Sequence, residues 1–286
     1  MTTATTPAPF IVLAGTPGPG QSMALRKLRE AHQGRTPAAL IDGAEAQFDR
    51  PPPHRTTESW SPAYQALLVI AEQFAERAAF PRLASGLLAA AAGAEAERVL
   101  RLCGRATGRL AGLIADRGPA AGAIVEAVVE GAAEGLSPSC RRLRRGAAWY
   151  RDYPNARGNP MRGLTLLSEQ FRADGNARTH AERHLVRALL ADLDARRAGR
   201  RRPVVLIDNV QETAGRRLME SVLRDRAEGI ADQVVFYAAL RGESHPALRN
   251  AARRTVLPEL TGERGEGGWA PGGTPSSYAM LVALSP

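Results

Sequence analysis

Five short apolar runs punctuate the chain. They are FIVLA (10–14), AALID (38–42), VVLI (204–207), VVFYAAL (234–240) and YAMLVAL (278–284). Runs of this length, flanked by turn residues, are the pattern of strands buried in a parallel sheet. The first ends at Gly15, the second at Asp42, the third at Asp208-Asn209 and the fourth at Arg241-Gly242. Between the first two, SMALRKLREAHQG (22–34) has helical spacing, with Met23, Leu25 and Leu28 expected inward and Gly34 as the stop. Strand, glycine-rich turn, helix and strand form one βαβ unit.

From about 61 to 199 nothing reads as a strand. Residues 61–80, 83–118 and 118–136 are alanine- and leucine-rich helix patterns, with breaks at Pro81, Gly118-Pro119 and Ser137-Pro138. An irregular stretch, WYRDYPNARGNP (149–160), precedes a helix near 162–173. Another helix, near 179–197, carries Leu185, Leu189 and Leu193 on one stripe. Residues 215–230 are again helical, and 261–277 form a loop rich in glycine and proline. The predicted fold class is α/β. A parallel-sheet core (1–50 and 200–286) is split by a large all-α insertion (51–199) between the second strand and the third. A structureless connection of that length is implausible, so the segment must fold.

Composition changes this picture little. The chain has 286 residues, 44% of them hydrophobic and only 5% aromatic, and Lys27 is its single lysine. The net charge of +9 is compatible with nucleic acid, an anionic membrane surface or a nucleotide as partner, and also with a solvated arginine surface. Cys103 and Cys140 have no metal-type spacing. The opening MTTATTPAPF does not read as a signal peptide, and 118–136 carries Glu126, Glu130 and Glu134, which argues against a membrane span. A cytoplasmic protein is expected.

The chemistry concentrates at the strand tips. Residues 15–22, GTPGPGQS, follow the phosphate-loop pattern G-x-x-x-x-G-K-[ST] except that Gln21 stands where the lysine belongs. In such a loop, backbone N–H groups from Gly15, Thr16, Pro17, Gly18, Pro19, Gly20, Gln21 and Ser22 (prolines excepted) curl around phosphates. The helix aims its positive end at them, and the Ser22 hydroxyl meets Mg²⁺. VVLID (204–208) has the form of a Walker B strand, whose Asp208 carboxylate holds the Mg²⁺ water shell. Arg241, at the tip of the next strand, is placed to read a γ-phosphate or to be a surface arginine. Ligands of open α/β sheets bind at this edge.

With GTPGPGQS, VVLIDN and VVFYAALRG in hand, the chain resembles P-loop NTPases of the additional-strand type, which include AAA+ proteins and STAND signalling NTPases. FPRL (80–83), LIDNVQETAGRRLMESVLR (206–224) and VLPELTGE (256–263) also make it similar to a group of actinobacterial ATP-binding proteins. The resemblance covers about 100 residues of core. It implies a P-loop NTPase fold, ATP and Mg²⁺ as cofactors, a sensor role for Arg241 and self-association.

Two departures bear on activity. Gln21 removes a charge-assisted bond to phosphate, worth about 1.5–3 kcal/mol, and Lys27 lies too far along the helix to replace it. Asn209 stands where hydrolysing members carry the water-activating acid, and an amide cannot take the proton. The expectation is a nucleotide-binding switch with weak or absent hydrolysis. The rivals are an interaction scaffold that binds no nucleotide and a DNA-handling ATPase gripping nucleic acid through 140–151, where CRRLRRGAAWY combines four arginines with Trp149 and Tyr150. His180 and His184 have a metal-compatible i, i+4 spacing but read as surface histidines.

Overall fold

The computed structural model describes residues 8–15, 20–53, 55–76, 78–91, 95–103, 138–195, 202–254, 269 and 271–284. Residues 16–19, 118–136, 196–201 and 255–268 lie outside that set, among others. By internal contacts the chain divides into two compact units, residues 1–49 with 197–286, and residues 50–196.

The first unit is built on a six-stranded sheet in which every strand pairing is parallel. Its strands are β1 (Phe10–Gly15), β2 (Ala38–Asp42), β3 (Val204–Asp208), β4 (Val235–Arg241), β5 (Ala252–Arg254) and β6 (Ala279–Ala283), in the spatial order β2-β3-β4-β1-β6-β5. The central strands β1, β3 and β4 are buried over most of their length, as continuous apolar runs require. The edge strand β2 alternates buried and half-buried positions. Phe10 and Phe236 are register partners on β1 and β4, and their rings stack 4.9 Å apart. Helix α1 (Gly20–His32) packs across β3 and β4 as well as β1 and β2. Leu25 is its apolar anchor, whereas Met23, expected inward, is 51% exposed. The buried positions of the helix are Gln21 and Leu25, four residues apart, and Met23 falls on the outer face.

The last large helix of this unit, Thr213–Ala227, carries a fully buried arginine. Arg226 donates to both Asp232 carboxylate oxygens at 2.7 Å, to the Ala8 carbonyl at 2.7 Å and to the Val234 carbonyl at 3.0 Å. One guanidinium thereby ties the approach to β1 to the turn that enters β4, and its carboxylate partner Asp232 is also buried.

The second unit has no strand among its described residues. Its helices are α2 (Pro62–Ala75), α3 (Pro81–Ala90), α4 (Ala96–Arg101), α5 (Pro138–Ala148), α6 (Pro160–Arg172) and α7 (Asn176–Asp194), so the Thr213–Ala227 helix is α8. Starts follow local rules: Ser61 caps α2 by accepting from the Tyr64 N–H, Asn159 caps α6 by accepting from Met161 and Arg162, and each helix has proline in its first turn. The continuous helix expected over 83–118 is interrupted within its described part. Helix α3 ends at Ala90, and Glu95 takes a left-handed φ of 60° before α4 begins. Helix α3 packs against α5, α6 and α7.

Candidate functional site

Because every strand runs the same way, the C-termini of β1, β2, β3 and β4 share one edge of the sheet. That edge collects Gly15, Asp42, Asp208 and Arg241. Gly15 is the register partner of Arg241, and Asp42 is that of Asp208. One strand, β4, separates β1 from β3, so the β1 tip and Asp208 are about 10 Å apart laterally at ordinary strand spacing. Helix α1 begins at Gly20 on the same edge, with no acidic residue in its first turn to neutralise its positive end.

Gln21 and Ser22 open that helix. Ser22 is half-buried, and Gln21 is 5% exposed. The Gln21 side-chain nitrogen lies 3.2 Å from the point where a Cβ on Gly15 would sit, and the Leu284 carbonyl lies equally close. The amide therefore reaches back towards the β1 tip. The Gly15 N–H donates to the Gly242 carbonyl at 3.3 Å, which folds the chain after β4 over the same tip. Thr16, Pro17, Gly18 and Pro19, assigned to the phosphate cradle by the sequence, lie outside the described residues.

The acids are held by an amide. Asn209 is 2% exposed with a left-handed φ of 51°, a conformation asparagine tolerates well. Its side-chain NH₂ donates to Asp42 Oδ1 at 2.6 Å, and its backbone N–H donates to Asp208 Oδ1 at 2.9 Å. The Ala44 N–H also donates to Asp42 Oδ1, at 3.0 Å, and the Gly43 N–H donates to the Asp208 carbonyl at 2.9 Å. A Cβ on Gly43 would lie 2.7 Å from the Asn209 carbonyl, so only glycine lets the β2 tip approach this turn. Gln211 extends the arrangement: its Oε1 accepts from the Arg241 backbone N–H at 3.2 Å, while the Arg241 side chain is exposed. Asp42, Asn209, Gln211 and Arg241 thus span the tips of three adjacent strands.

Asp42 was not among the residues singled out from the sequence. Its signal was present: β2 and β3 both end in Leu-Ile-Asp, at 40–42 and 206–208. Two register-matched carboxylates on neighbouring strands repel each other, and a divalent cation relieves that repulsion. Asp42 Oδ1 accepts from Asn209 and Ala44, and Asp208 Oδ1 accepts from the Asn209 N–H. This donor set suits Mg²⁺, which is commonly held by one or two carboxylates together with water and phosphate oxygens. No group of three or more His, Cys, Asp or Glu residues suited to a metal ion occurs among the described residues.

Neither a family model, nor a curated protein, nor a solved structure matches the chain.

The other candidates lie in the helical unit. His184 is buried rather than on the surface, packed by Trp149 at 4.8 Å, Tyr153 at 4.5 Å and Tyr150 at 5.7 Å. Burial, aided by Arg187 and His180, pushes its imidazole down to about 3, so it is neutral near pH 7. His180 instead meets Gln170 Oε1 at 3.2 Å. Of the aromatics expected to stack on bases, Tyr150 is fully buried and donates to the Arg82 carbonyl at 3.0 Å, and Trp149 is half-buried. Both serve the interior of their own unit. The arginines of 140–151 are exposed, as are Arg141, Arg142, Arg144 and Arg145 of α5 in particular. No helix of the described residues is long and apolar enough to cross a membrane.

Proposed function

We propose that the protein is a P-loop nucleotide-binding switch that takes Mg-ATP at the C-terminal edge of its sheet and hydrolyses it weakly or not at all. One observation carries the reading: the β1 tip with the α1 N-terminus, the acid ending β3 and the arginine ending β4 share one edge, with β4 lying between β1 and β3. In this reading the phosphates lie against the turn at 15–22, where backbone N–H groups and the helix terminus receive them. Ser22 and Asp208 hold Mg²⁺, with Asp42 beside them, and Arg241 is free to reach a terminal phosphate.

The residues also account for poor hydrolysis. Gln21 can donate a neutral hydrogen bond to a phosphate oxygen but brings no charge. Asn209 cannot accept a proton from water, and its amide is committed to Asp42. Such a site would hold nucleotide long enough to report its presence, which is the behaviour of a switch. Switching then requires that ATP and ADP differ in their contacts with Arg241.

Thermal unfolding in the presence of nucleotide tests the proposal. Mg-ATP at about a hundred times its Kd stabilises a folded protein by about 2.7 kcal/mol, and Asp208→Ala should remove the Mg²⁺ dependence of that gain. Phosphate release should stay near background. A melting temperature indifferent to every Mg-nucleotide would reduce the fold to an interaction scaffold.

A further inference from the structure

The helical unit contains a concave site of its own. The N-terminus of α3, the middle of α5 and the end of α7 enclose a cleft of about 210 Å³, lined by Pro81, Arg82, Arg142, Arg145, Gly146 and Asp192 with two flanking alanines. Three arginines and one acid therefore line one small concavity. The α3–α5 contact that forms its floor is very tight. A Cβ on Gly146 would overlap the Pro81 carbonyl, and the buried Ser85 hydroxyl bonds both the Pro81 and Leu143 carbonyls.

The lone carboxylate is already engaged. Asp192 accepts from the Leu83 N–H at 2.9 Å and from Arg82 Nη1 at 3.2 Å. The Arg82 guanidinium is steadied further by the Ala191 carbonyl at 2.9 Å, and Arg142 by the Cys103 carbonyl at 2.9 Å. Neither Arg142 nor Arg145 has a carboxylate partner among the described residues. Two guanidiniums are thus pre-positioned by backbone carbonyls, which leave their remaining N–H groups for a ligand, and Arg145 stands one helical turn from Arg142 on the same face. Burial pushes the Asp192 carboxyl above the usual carboxylate range, against the pull of Leu83 and Arg82.

We infer that this cleft is a phosphate-binding site for a small phosphorylated ligand. Planar guanidinium forks match phosphate oxygens in pairs. The volume lies below the roughly 300–1,000 Å³ of sites for drug-sized ligands, which suits one or two phosphate groups rather than a whole nucleotide. A polynucleotide backbone would instead use the outward arginines of α5 equally. The site lies wholly within residues 50–196, independent of the sheet edge.

Isothermal titration of inorganic pyrophosphate into the full chain, without Mg²⁺, provides the test, with orthophosphate and a short single-stranded oligonucleotide as parallel arms. Arg145→Glu and Arg145→Ala should each weaken pyrophosphate binding by about tenfold or more, the size of a lost charge-assisted contact. Arg145→Lys should recover part of the loss. Arg144→Glu makes the same charge change one residue away, outside the cleft lining, and should weaken binding far less than Arg145→Glu because it removes no direct contact. Arg144 and Arg145 are both exposed, so these variants should fold, which circular dichroism checks directly. Binding of orthophosphate alongside pyrophosphate would identify a single phosphate as the recognised unit, whereas pyrophosphate alone would identify a linked pair. The inference is overturned by absence of binding of either anion, by equal losses in Arg144→Glu and Arg145→Glu, or by binding of the oligonucleotide alone.

Discussion

Replacing Asn209 by Asp should destabilise the protein in a pH-dependent way. The Asn209 NH₂ lies 2.6 Å from Asp42 Oδ1, and the residue is 2% exposed. The substitution exchanges a donor for an oxygen and sets two carboxylates against each other with Asp208 alongside. Two unit charges about 4 Å apart repel by roughly 4 kcal/mol at an effective dielectric of about 20. The lost hydrogen bond adds about 1 kcal/mol. The pair escapes most of this by sharing a proton, as close carboxylates do, so one pKa rises in the folded variant. A group whose folded pKa is raised contributes stability below its unfolded value, near 4, and loses it as pH rises through the folded value. Asn209→Asp should therefore lie within about 1–2 kcal/mol of wild type near pH 4 and fall about 2–4 kcal/mol below it by pH 8. Urea unfolding at both pH values gives these differences. The exchange Asp42→Asn with Asn209→Asp restores one donor and one acceptor and should recover most of the loss. Equal destabilisation at both pH values, or no recovery in the double variant, would refute the fastening role of Asn209.

Further predictions follow from the same structure. Arg226→Met leaves Asp232 as a buried, unpaired acid and orphans two carbonyls, so it should cost about 3–5 kcal/mol in urea unfolding; adding Asp232→Leu should recover part of that, and a single variant of wild-type stability would contradict the pairing. His184, with its folded pKa depressed to about 3, contributes stability above the unfolded value of about 6.5 and loses it as pH falls. His184→Phe should remove a slope of up to about 1.4 kcal/mol per pH unit from the acid side of the stability profile, whereas an unchanged slope would mean that His184 does not titrate between the folded and unfolded states. Gly43→Ala should cost about 1–3 kcal/mol, the usual range for overpacking, since its Cβ meets the Asn209 carbonyl at 2.7 Å; a neutral result would show that the β2 tip has room to move.

Much of the sheet was legible because buried strands are continuous apolar runs, and the chain has five of them. The sixth strand, β5, was not: Ala252-Arg253-Arg254 is a short, fully exposed edge strand whose pairing comes from β6 and not from any apolar pattern of its own. Pro81 and Ser137-Pro138 read as breaks between helical stretches, and helices begin at Pro81 and Pro138, where proline fits the first turn. The break after Ala90 was not legible, because the alanine-rich sequence has no turn residue except Gly93 to mark it. At the candidate site, motif spacing picked out Gly15, Gln21, Ser22, Asp208 and Arg241. Strand order, and with it the pairing of Asp42 with Asp208, depends on contacts more than 160 residues apart in the chain. The interior position of His184 was hidden for a related reason: Trp149, Tyr150 and Tyr153, which surround it, come from a segment that looks like a loop.

The proposed switch requires a phosphate-accepting turn and a metal-holding acid to act together at one sheet edge. Titration calorimetry of Mg-ATP against the full chain, beside Gln21→Lys and Asp208→Ala, measures this most directly. The account predicts that wild type binds, that Gln21→Lys binds about 10–100-fold tighter through the restored charge-assisted contact, and that Asp208→Ala loses the Mg²⁺-dependent part. Heat in none of the three proteins, or identical heat in all of them, would contradict it.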